Sequence, residues 1–326
     1  MKSTLKIIGV ITLAFGLSTS CSNDDVTLPP IGGYNSSDEV AATNNIAKWS
    51  FESALTESKQ NLTGTGTNVA YATGAKGQAW QGSSTQPRYA IYPAGTAIPA
   101  LSSYTFSFWM NSDSMKINTT NPGVPVQGKG AQGIFAYANP TGFWGGINLF
   151  VENRGSSDGD TLRLKLLVEN KRSGVVWATQ SPIIRIPGTL NKWVHIALTY
   201  DDQSSIFSAY VNGVAASKME VPYQDKAPTG SPTGFVGNTY TQYANDPGDW
   251  NNKNSAPKFG VLQTAPGTQM VIGSHQFTTT PALNAGGTQQ PWATTFAGQL
   301  DEFRIYNKAL TTGDVNALYE LEKAGR

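Results

Sequence analysis

"NKWVHIALTYDDQSSIFSAYVNG", residues 191–213, reads as strand, turn, strand, turn. Val194, Ile196, Leu198 and Tyr200 alternate with Trp193, His195, Ala197 and Thr199, the period of two that gives a strand one apolar face. "DDQSS" breaks the pattern, Phe207, Ala209 and Val211 resume it, and Asn212-Gly213 suits the positive φ angles of a tight hairpin turn. A three-stranded antiparallel meander is the plain expectation. His195, one of two histidines in the chain, falls mid-strand between apolar neighbours and so reads as scaffold rather than as a catalytic group.

The same period recurs on both sides. In "AKWSFE" Ala47, Trp49 and Phe51 alternate with Lys48, Ser50 and Glu52. "YTFSFWMN" aligns Tyr104, Phe106, Phe108 and Met110, and "LRLKLLVE" aligns Leu162, Leu164, Leu166 and Val168 opposite Arg163 and Lys165. These read as half-buried antiparallel strands. Further candidates are 146–153, 175–180, 270–275 and 301–307. Only "TTGDVNALYELEK" near the C-terminus has a helical period, with Val315, Leu318 and Tyr319 at i, i+3, i+4 and Thr311 or Thr312 as N-cap.

Composition agrees with short strands joined by turns: of 326 residues only 14% are charged, while there are 34 glycines and 18 prolines. Lys plus Arg is 23 and Asp plus Glu 22, so no basic excess offers itself to a phosphate backbone and nucleic acid is not an expected partner.

The first residues, "MKSTLKIIGVITLAFGLSTSC", pair Lys2 and Lys6 with an apolar run from Ile7 to Leu17, too short to span a membrane and shaped like a secretory signal over 1–20. Cys21, the single cysteine, rules out an intrachain disulfide; its position resembles the lipobox of bacterial lipoproteins, in which that cysteine is acylated, although "STSC" departs from the commoner Leu-Ala-Gly-Cys. An ordinary cleavage site beside a chance cysteine is the alternative. Without residues 1–20 the chain keeps 21 basic and 22 acidic residues, a charge of −1, so electrostatic steering is not expected. Residues 21–45, rich in Ser, Asn, Asp, Pro and Gly, read as a flexible tether. Their "SNDD" resembles the acidic export signal of Bacteroides-type lipoproteins that face the cell exterior, which implies an outer-membrane location, lipid-anchored.

"WVHIALTYD", "AYVNG", "VIG" and "FAGQLDEFRIYNKAL", preceded by "KWSFE" and "YTFSFWMN", stand in the order found in laminin G-like domains of the concanavalin A-like lectin and glucanase superfamily. The resemblance covers 46 to about 322 and implies one all-β domain over 46–326: a concanavalin A-like jelly-roll sandwich of two antiparallel sheets, closed by the short C-terminal helix. In that family the histidine matching His195 belongs to the strand motif and not to a catalytic centre.

Several chemistries lack their residues. No G-x-S-x-G elbow occurs, and His195 and His275 stand eighty residues apart, outside any finger or helical zinc spacing. The superfamily's glucanases carry Glu-x-Asp-x-Glu on one strand; here no such triplet exists, and strand alternation puts Asp301 and Glu302 of "QLDEF" on opposite faces. Long-range pairs such as Glu152 with Glu169 stay open. The resemblance also implies a structural Ca2+ near Asp301, here with Glu52, but the family's early Asp-x-Ser-Gly-x-Gly-Asn loop is replaced by "ESKQNLTGTGTN" at 57–68; Asp301 as a hydrogen-bond cap for a neighbouring loop is the competing reading.

Sugar recognition sets aromatic faces against ring CH groups and carboxamides or carboxylates against hydroxyls. Trp49, Trp109 and Trp193 lie in strands, whereas Trp144, Trp250 and Trp292 lie in Gly-, Asn- and Pro-rich segments. The long polar segment 222–262 contains "NTYTQYANDPGDWNN", in which Tyr240, Tyr243 and Trp250 mix with Asn245 and Asp249. These aromatics either meet a ligand or pin the loop to the sandwich. The expectation is a non-catalytic surface lipoprotein that binds a polysaccharide or other glycan, touches the membrane through its lipid alone, and serves an outer-membrane glycan-uptake complex. An adhesion or assembly module with a protein partner, and a glycoside hydrolase or lyase with an unrecognised carboxylate pair, are the alternatives.

Overall fold

The structure, a computed structural model, describes residues 28–326 except 119, 122, 128–129, 153–158, 171–181, 223–232, 243–257, 265 and 286. Two large, almost wholly antiparallel sheets face each other. The first runs, in spatial order, through Val214–Ala215, Ile206–Val211, Val194–Asp201, Tyr104–Asn111, Gln299–Tyr306, Gln78–Gln81 and Tyr71–Thr73. Asn45–Trp49 also pairs with Gln299–Tyr306, and Thr239–Thr241 with Ile206–Val211. The second runs through Thr233–Val236, Met219–Pro222, Ile183–Ile186, Leu162–Val168, Ile147–Val151, Ala131–Tyr137, Gln269–Ile272, Tyr89–Pro93 and Thr65–Thr67. Ala293–Thr295 joins Ala131–Tyr137 in parallel. The expected meander is present at 194–201, 206–211 and 214–215, turning at Asn212-Gly213 with φ of 51° and 75°. The strand expected at 175–180 lies outside the described residues.

Between the sheets the inward residues form one core. Phe303 is its hub, stacked on Phe108 at 5.3 Å and Phe135 at 5.6 Å, with Trp49 edge-on at 5.8 Å. Truncating such a ring in a close-packed core costs about 3–5 kcal/mol.

The structure differs from two expectations. Tyr104–Asn111 is buried on both faces through Met110, not half-buried, because the C-terminal helix Thr312–Lys323 covers its outward residues. Thr311 caps that helix with a reciprocal capping box to Asp314, and Val315, Leu318 and Leu321 are buried. The second change concerns the tether. Its later part, residues 31–44, is folded onto the body: Ile31, Tyr34 and Val40 pack with Val315, Leu318 and Leu321, and Tyr34 donates to Asp314 at 2.8 Å. Sparse apolar residues suffice because the helix presents an apolar face for them to pack against.

Under the helix lies a buried ionic cluster. Arg304, fully buried, donates through Nε to Glu322 at 2.9 Å, and through Nη2 to Glu302 at 2.6 Å and to Ser37 Oγ at 3.1 Å. Its Nη1 reaches Asp38 at 2.5 Å, so the N-terminal segment, the last long strand and the helix are tied through one guanidinium. Lys48 and Arg304 hold the Asp38 carboxyl below the usual range against the upward push of its burial.

Candidate functional site

The histidine of the opening stretch is enclosed. His195 has no exposed surface; its Nε2 lies 2.9 Å from Ser107 Oγ and 3.7 Å from Glu322, and its ring lies against the stacked pair Trp109 and Tyr319. Burial, and then Arg304 nearby, lowers its pKa to about 3, which keeps it neutral. Glu322 accepts the Trp109 indole N–H at 2.8 Å, and burial pushes its carboxyl up while Arg304 pulls it down. With no opening to solvent, this group can bind nothing. It holds the helix.

Asp301 and Glu302 are not placed by simple alternation. A bulge between Asp301 and Arg304, with Glu302 at φ 44°, interrupts the ladder and frees Glu302 to meet Arg304. Asp301 accepts the N–H of Lys76 at 2.8 Å and of Glu302 at 2.7 Å; burial raises its pKa to about 8. Glu52 accepts the N–H of Gln78 at 3.1 Å, so both acids named for calcium grip the turn at 74–78. A Cβ on Gly74 would collide with Asp301 Oδ2, and one on Gly77 with Glu52. Among the described residues no group of three His, Cys, Asp or Glu gathers, and the contacts Asp301 and Glu52 make are those of a latch on this turn, the capping role weighed for Asp301.

Glu152 and Glu169 sit at opposite ends of one hairpin: Glu152 N–H donates to Arg163, and Glu169 N–H to Gly146. Six residues of strand separate them, about 20 Å at roughly 3.3 Å per residue, too far to flank one glycosidic bond. Glu152 pairs with Lys165 at 3.9 Å, and Glu169 accepts from Asn139 at 2.6 Å.

What the structure does assemble is an aromatic shelf on the outer face of the second sheet. Phe150 and Leu167 point outward from adjacent strands, buried, and Trp144 and Trp292 pack over them. Trp144 stacks on Phe150 at 5.9 Å and 13°, and touches Trp292 at 5.4 Å. Phe143, 38% exposed, stacks on buried Phe277 at 4.5 Å, which stacks in turn on His275 at 4.8 Å. Trp144 and Trp292 are half-buried, so the shelf keeps three ring edges open to solvent.

The shelf is held from below by carboxamides. Gln276, fully buried, donates to the carbonyls of Gly142 and Phe143 at 2.5 and 2.9 Å and accepts from Asn139 N–H at 2.7 Å. Gly145, at φ 90°, turns the chain where a Cβ would press on the Tyr137 carbonyl. Asn148 Oδ1 lies 3.1 Å from His275 Nδ1, and burial lowers the pKa of that histidine to about 3. Beside the shelf Lys165 faces Phe150 across the ladder, followed by Arg163 and Arg185 on Glu220 at 2.8 and 3.2 Å.

Of the residues expected to meet a ligand, Trp144 and Trp292 are therefore brought together. Tyr240 is not with them: it pairs with Phe207 at the edge of the first sheet and packs against the main core, which is the anchoring role. Tyr243, Asn245, Asp249 and Trp250, like Cys21, lie outside the described residues. Sequence reasoning passed over Phe143, Phe277 and Gln276, although "GFWGG" and "SHQF" set aromatics among turn formers.

Sandwich, topology and shelf define a lectin-like jelly roll. Residues 84–250 match the family model of the concanavalin A-like lectin/glucanases superfamily of laminin G type, and the chain belongs to that family. No curated protein matches the chain. Among solved structures it is similar to the native heptameric SAP-like pentraxin from Limulus polyphemus, at 17% identity and TM-score 0.36, covering 67% of this chain and 70% of that one. It is similar also to the botulinum neurotoxin serotype D binding domain, at 13% identity and TM-score 0.46, covering 86% and 52%. The binding domain of botulinum neurotoxin DC in complex with SialylT gives 12%, 0.46, 86% and 52%. The chain spans about half the length of these neurotoxin chains.

Proposed function

We propose that this protein is a non-catalytic glycan-binding module whose ligand lies on the outer face of the second sheet, against Phe143, Trp144 and Trp292. One observation carries the reading: three partly open aromatic rings, from two separate loops, are fixed in one shelf by a buried glutamine and stacked neighbours. A shelf already rigid loses little conformational entropy when a ligand covers it, and its aromatic rings suit the apolar CH faces of a sugar ring.

Calorimetric titration with the oligosaccharides selected by a glycan array tests it. Trp144→Ala or Trp292→Ala should weaken binding at least tenfold, about 1.4 kcal/mol, with the fold retained. Unchanged affinity in both variants would move the site elsewhere. Glycan indifference with co-purification of a protein partner would favour an adhesion module instead, and release of reducing ends would favour a hydrolase.

Display at the outer surface, by lipid on Cys21, belongs to the same proposal and is supported by the sequence "MKSTLKIIGVITLAFGLSTSC" followed by "SNDD". Among the described residues no helix is long and apolar enough to cross a membrane. Fatty-acid labelling lost in Cys21→Ser, and co-purification with an outer-membrane uptake complex, would support this part. An unlabelled protein would remove it.

A further inference from the structure

A second surface of the sandwich carries the same chemistry without having been expected to. At one end of the first sheet, four neighbouring strands each contribute one outward residue at the same level. Gln299 is in register with Asn111 on one side and with Gln81 on the other. Val194 is in register with Met110, which sets Trp193 opposite Asn111. Val194, Met110, Leu300 and Trp80 are fully buried in the core, so by strand alternation the residues next to them, Trp193, Asn111, Gln299 and Gln81, turn outward. The row is therefore indole, carboxamide, carboxamide, carboxamide, about 14 Å long at roughly 4.8 Å per strand. All four residues are part-exposed.

The three carboxamides border a polar pocket of about 170 Å³ that Asp113, Asn191 and the Ala297–Gly298 backbone complete. At roughly 30 Å³ per water, that is the space of about six waters, enough for one small polar ring and not for a folded peptide. Gly298 brings the floor close: a Cβ there would collide with the Asn111 carbonyl. Within the row the protein uses few of its own hydrogen-bonding groups. Asn111 donates to Gln299 Oε1 at 3.3 Å, Gln299 to the Thr73 carbonyl at 3.4 Å, and Gln81 to the Gly82 carbonyl at 3.0 Å. Among the described residues nothing donates to Asn111 Oδ1 or Gln81 Oε1, and Trp193 makes no hydrogen bond or ring contact.

The chemistry of the row selects its ligand. A carboxamide both donates and accepts, as a hydroxyl does, so three in line match a vicinal set of hydroxyls better than they match an anion or a cation. Among the described residues Asp113 is the one charged side chain in the pocket lining, which disfavours acidic ligands. Trp193 provides a flat apolar face at the end of the row, where the CH side of a ring would rest. The C-terminal helix does not seal this level; its contacts fall one step further along the strands, on His195 and Trp109.

We infer that Trp193, Asn111, Gln299 and Gln81 form a second binding site, on the opposite sheet from the aromatic shelf, for a neutral disaccharide segment, one ring seated in the carboxamide pocket and the next against Trp193. The inference rests on the glycan reading and extends it: one module would hold two glycan segments, or two chains, on its two faces. Two such sites raise avidity without a new contact at either.

The test titrates the full chain with the neutral disaccharides cellobiose, maltose, lactose and chitobiose, following the side-chain carboxamide signals of Asn111, Gln299 and Gln81 and the indole signal of Trp193 by NMR. At least one sugar should move these four signals together. Trp193→Ala and Gln299→Ala should each weaken that sugar at least tenfold, while Trp144→Ala should leave it unchanged. Should sugars move only the Trp144 and Trp292 signals, the second site is wrong and the shelf stands. Should no signal of either set respond to these sugars or to array-selected oligosaccharides, the glycan reading falls and this inference with it.

Discussion

On the first sheet the outward residues His195, Trp109 and Asp301 stand in register beneath a helix and a turn that close over them, whereas on the second sheet the outward Phe150 and Leu167 stand beneath loops that leave Phe143, Trp144 and Trp292 partly open. The two covers differ in chemistry as well as in closure. The helix is tied down by buried charges, with Arg304 shared among Glu322, Glu302 and Asp38. The loops are tied down by neutral carboxamides and stacked rings. Buried charges cannot be left half-paired, so the first cover is committed to staying shut. Stacked rings tolerate a partial water contact, so the second can offer its edges to a ligand. An enclosed histidine and acid on one face thus say less about function than three half-open aromatics on the other.

The comparison breaks most visibly at Glu322. Glu322→Ala leaves Arg304 under-compensated and the Trp109 N–H without its acceptor, and should cost roughly 3–5 kcal/mol in urea unfolding while leaving the affinity of the shelf for its glycan unchanged in the folded fraction. A loss under about 1 kcal/mol would mean the charges are not what holds the helix.

A smaller effect separates the faces by pH. His195 and His275 are lowered to about 3 when folded, against about 6.5 unfolded, so between those values the unfolded chain binds protons that the folded one refuses. Stability contributed by neutral histidines is therefore complete above pH 6.5 and lost as pH falls, by up to about 1.4 kcal/mol per pH unit for each. Asp301 has the opposite sign: raised to about 8, it favours the folded state below its unfolded value near 4, and that contribution is lost as pH rises toward 8. Comparing unfolding free energies from pH 4 to 8, His275→Phe should flatten the acid limb, and Asp301→Asn should flatten the fall above neutrality. Parallel curves for variants and wild type would contradict the burial assigned to these groups.

Much of the first face was legible in the sequence. Alternation in "WVHIALTY" and "YTFSFWMN" fixed which residues face the core, and the spacing of Val315 and Leu318 fixed the helix, because burial against a flat partner imposes a simple period. The bulge at Glu302 was not legible, since one residue with positive φ leaves no pattern. Nor was the guanidinium cluster, whose members Asp38, Arg304 and Glu322 are brought together across 284 positions of chain by tertiary structure alone. For the shelf, sequence reasoning found Trp144 and Trp292 as aromatics that no strand explains, but their contact at 5.4 Å depends on two loops meeting over a third element. For Tyr240 the sequence left both readings open, because a tyrosine in a polar stretch looks alike whether it meets a ligand or pins an edge strand, and its pairing with Phe207 is a tertiary fact.

The proposed function puts glycan on the open shelf and none where the C-terminal helix covers His195 and Trp109. Its most direct measurement is the shift of the tryptophan indole N–H signals on titration with an oligosaccharide that the protein binds. Trp144 and Trp292 should move with a common dissociation constant while Trp49, Trp80 and Trp109 stay still; movement of Trp109 with Trp144 and Trp292 unmoved would overturn the shelf as the binding site.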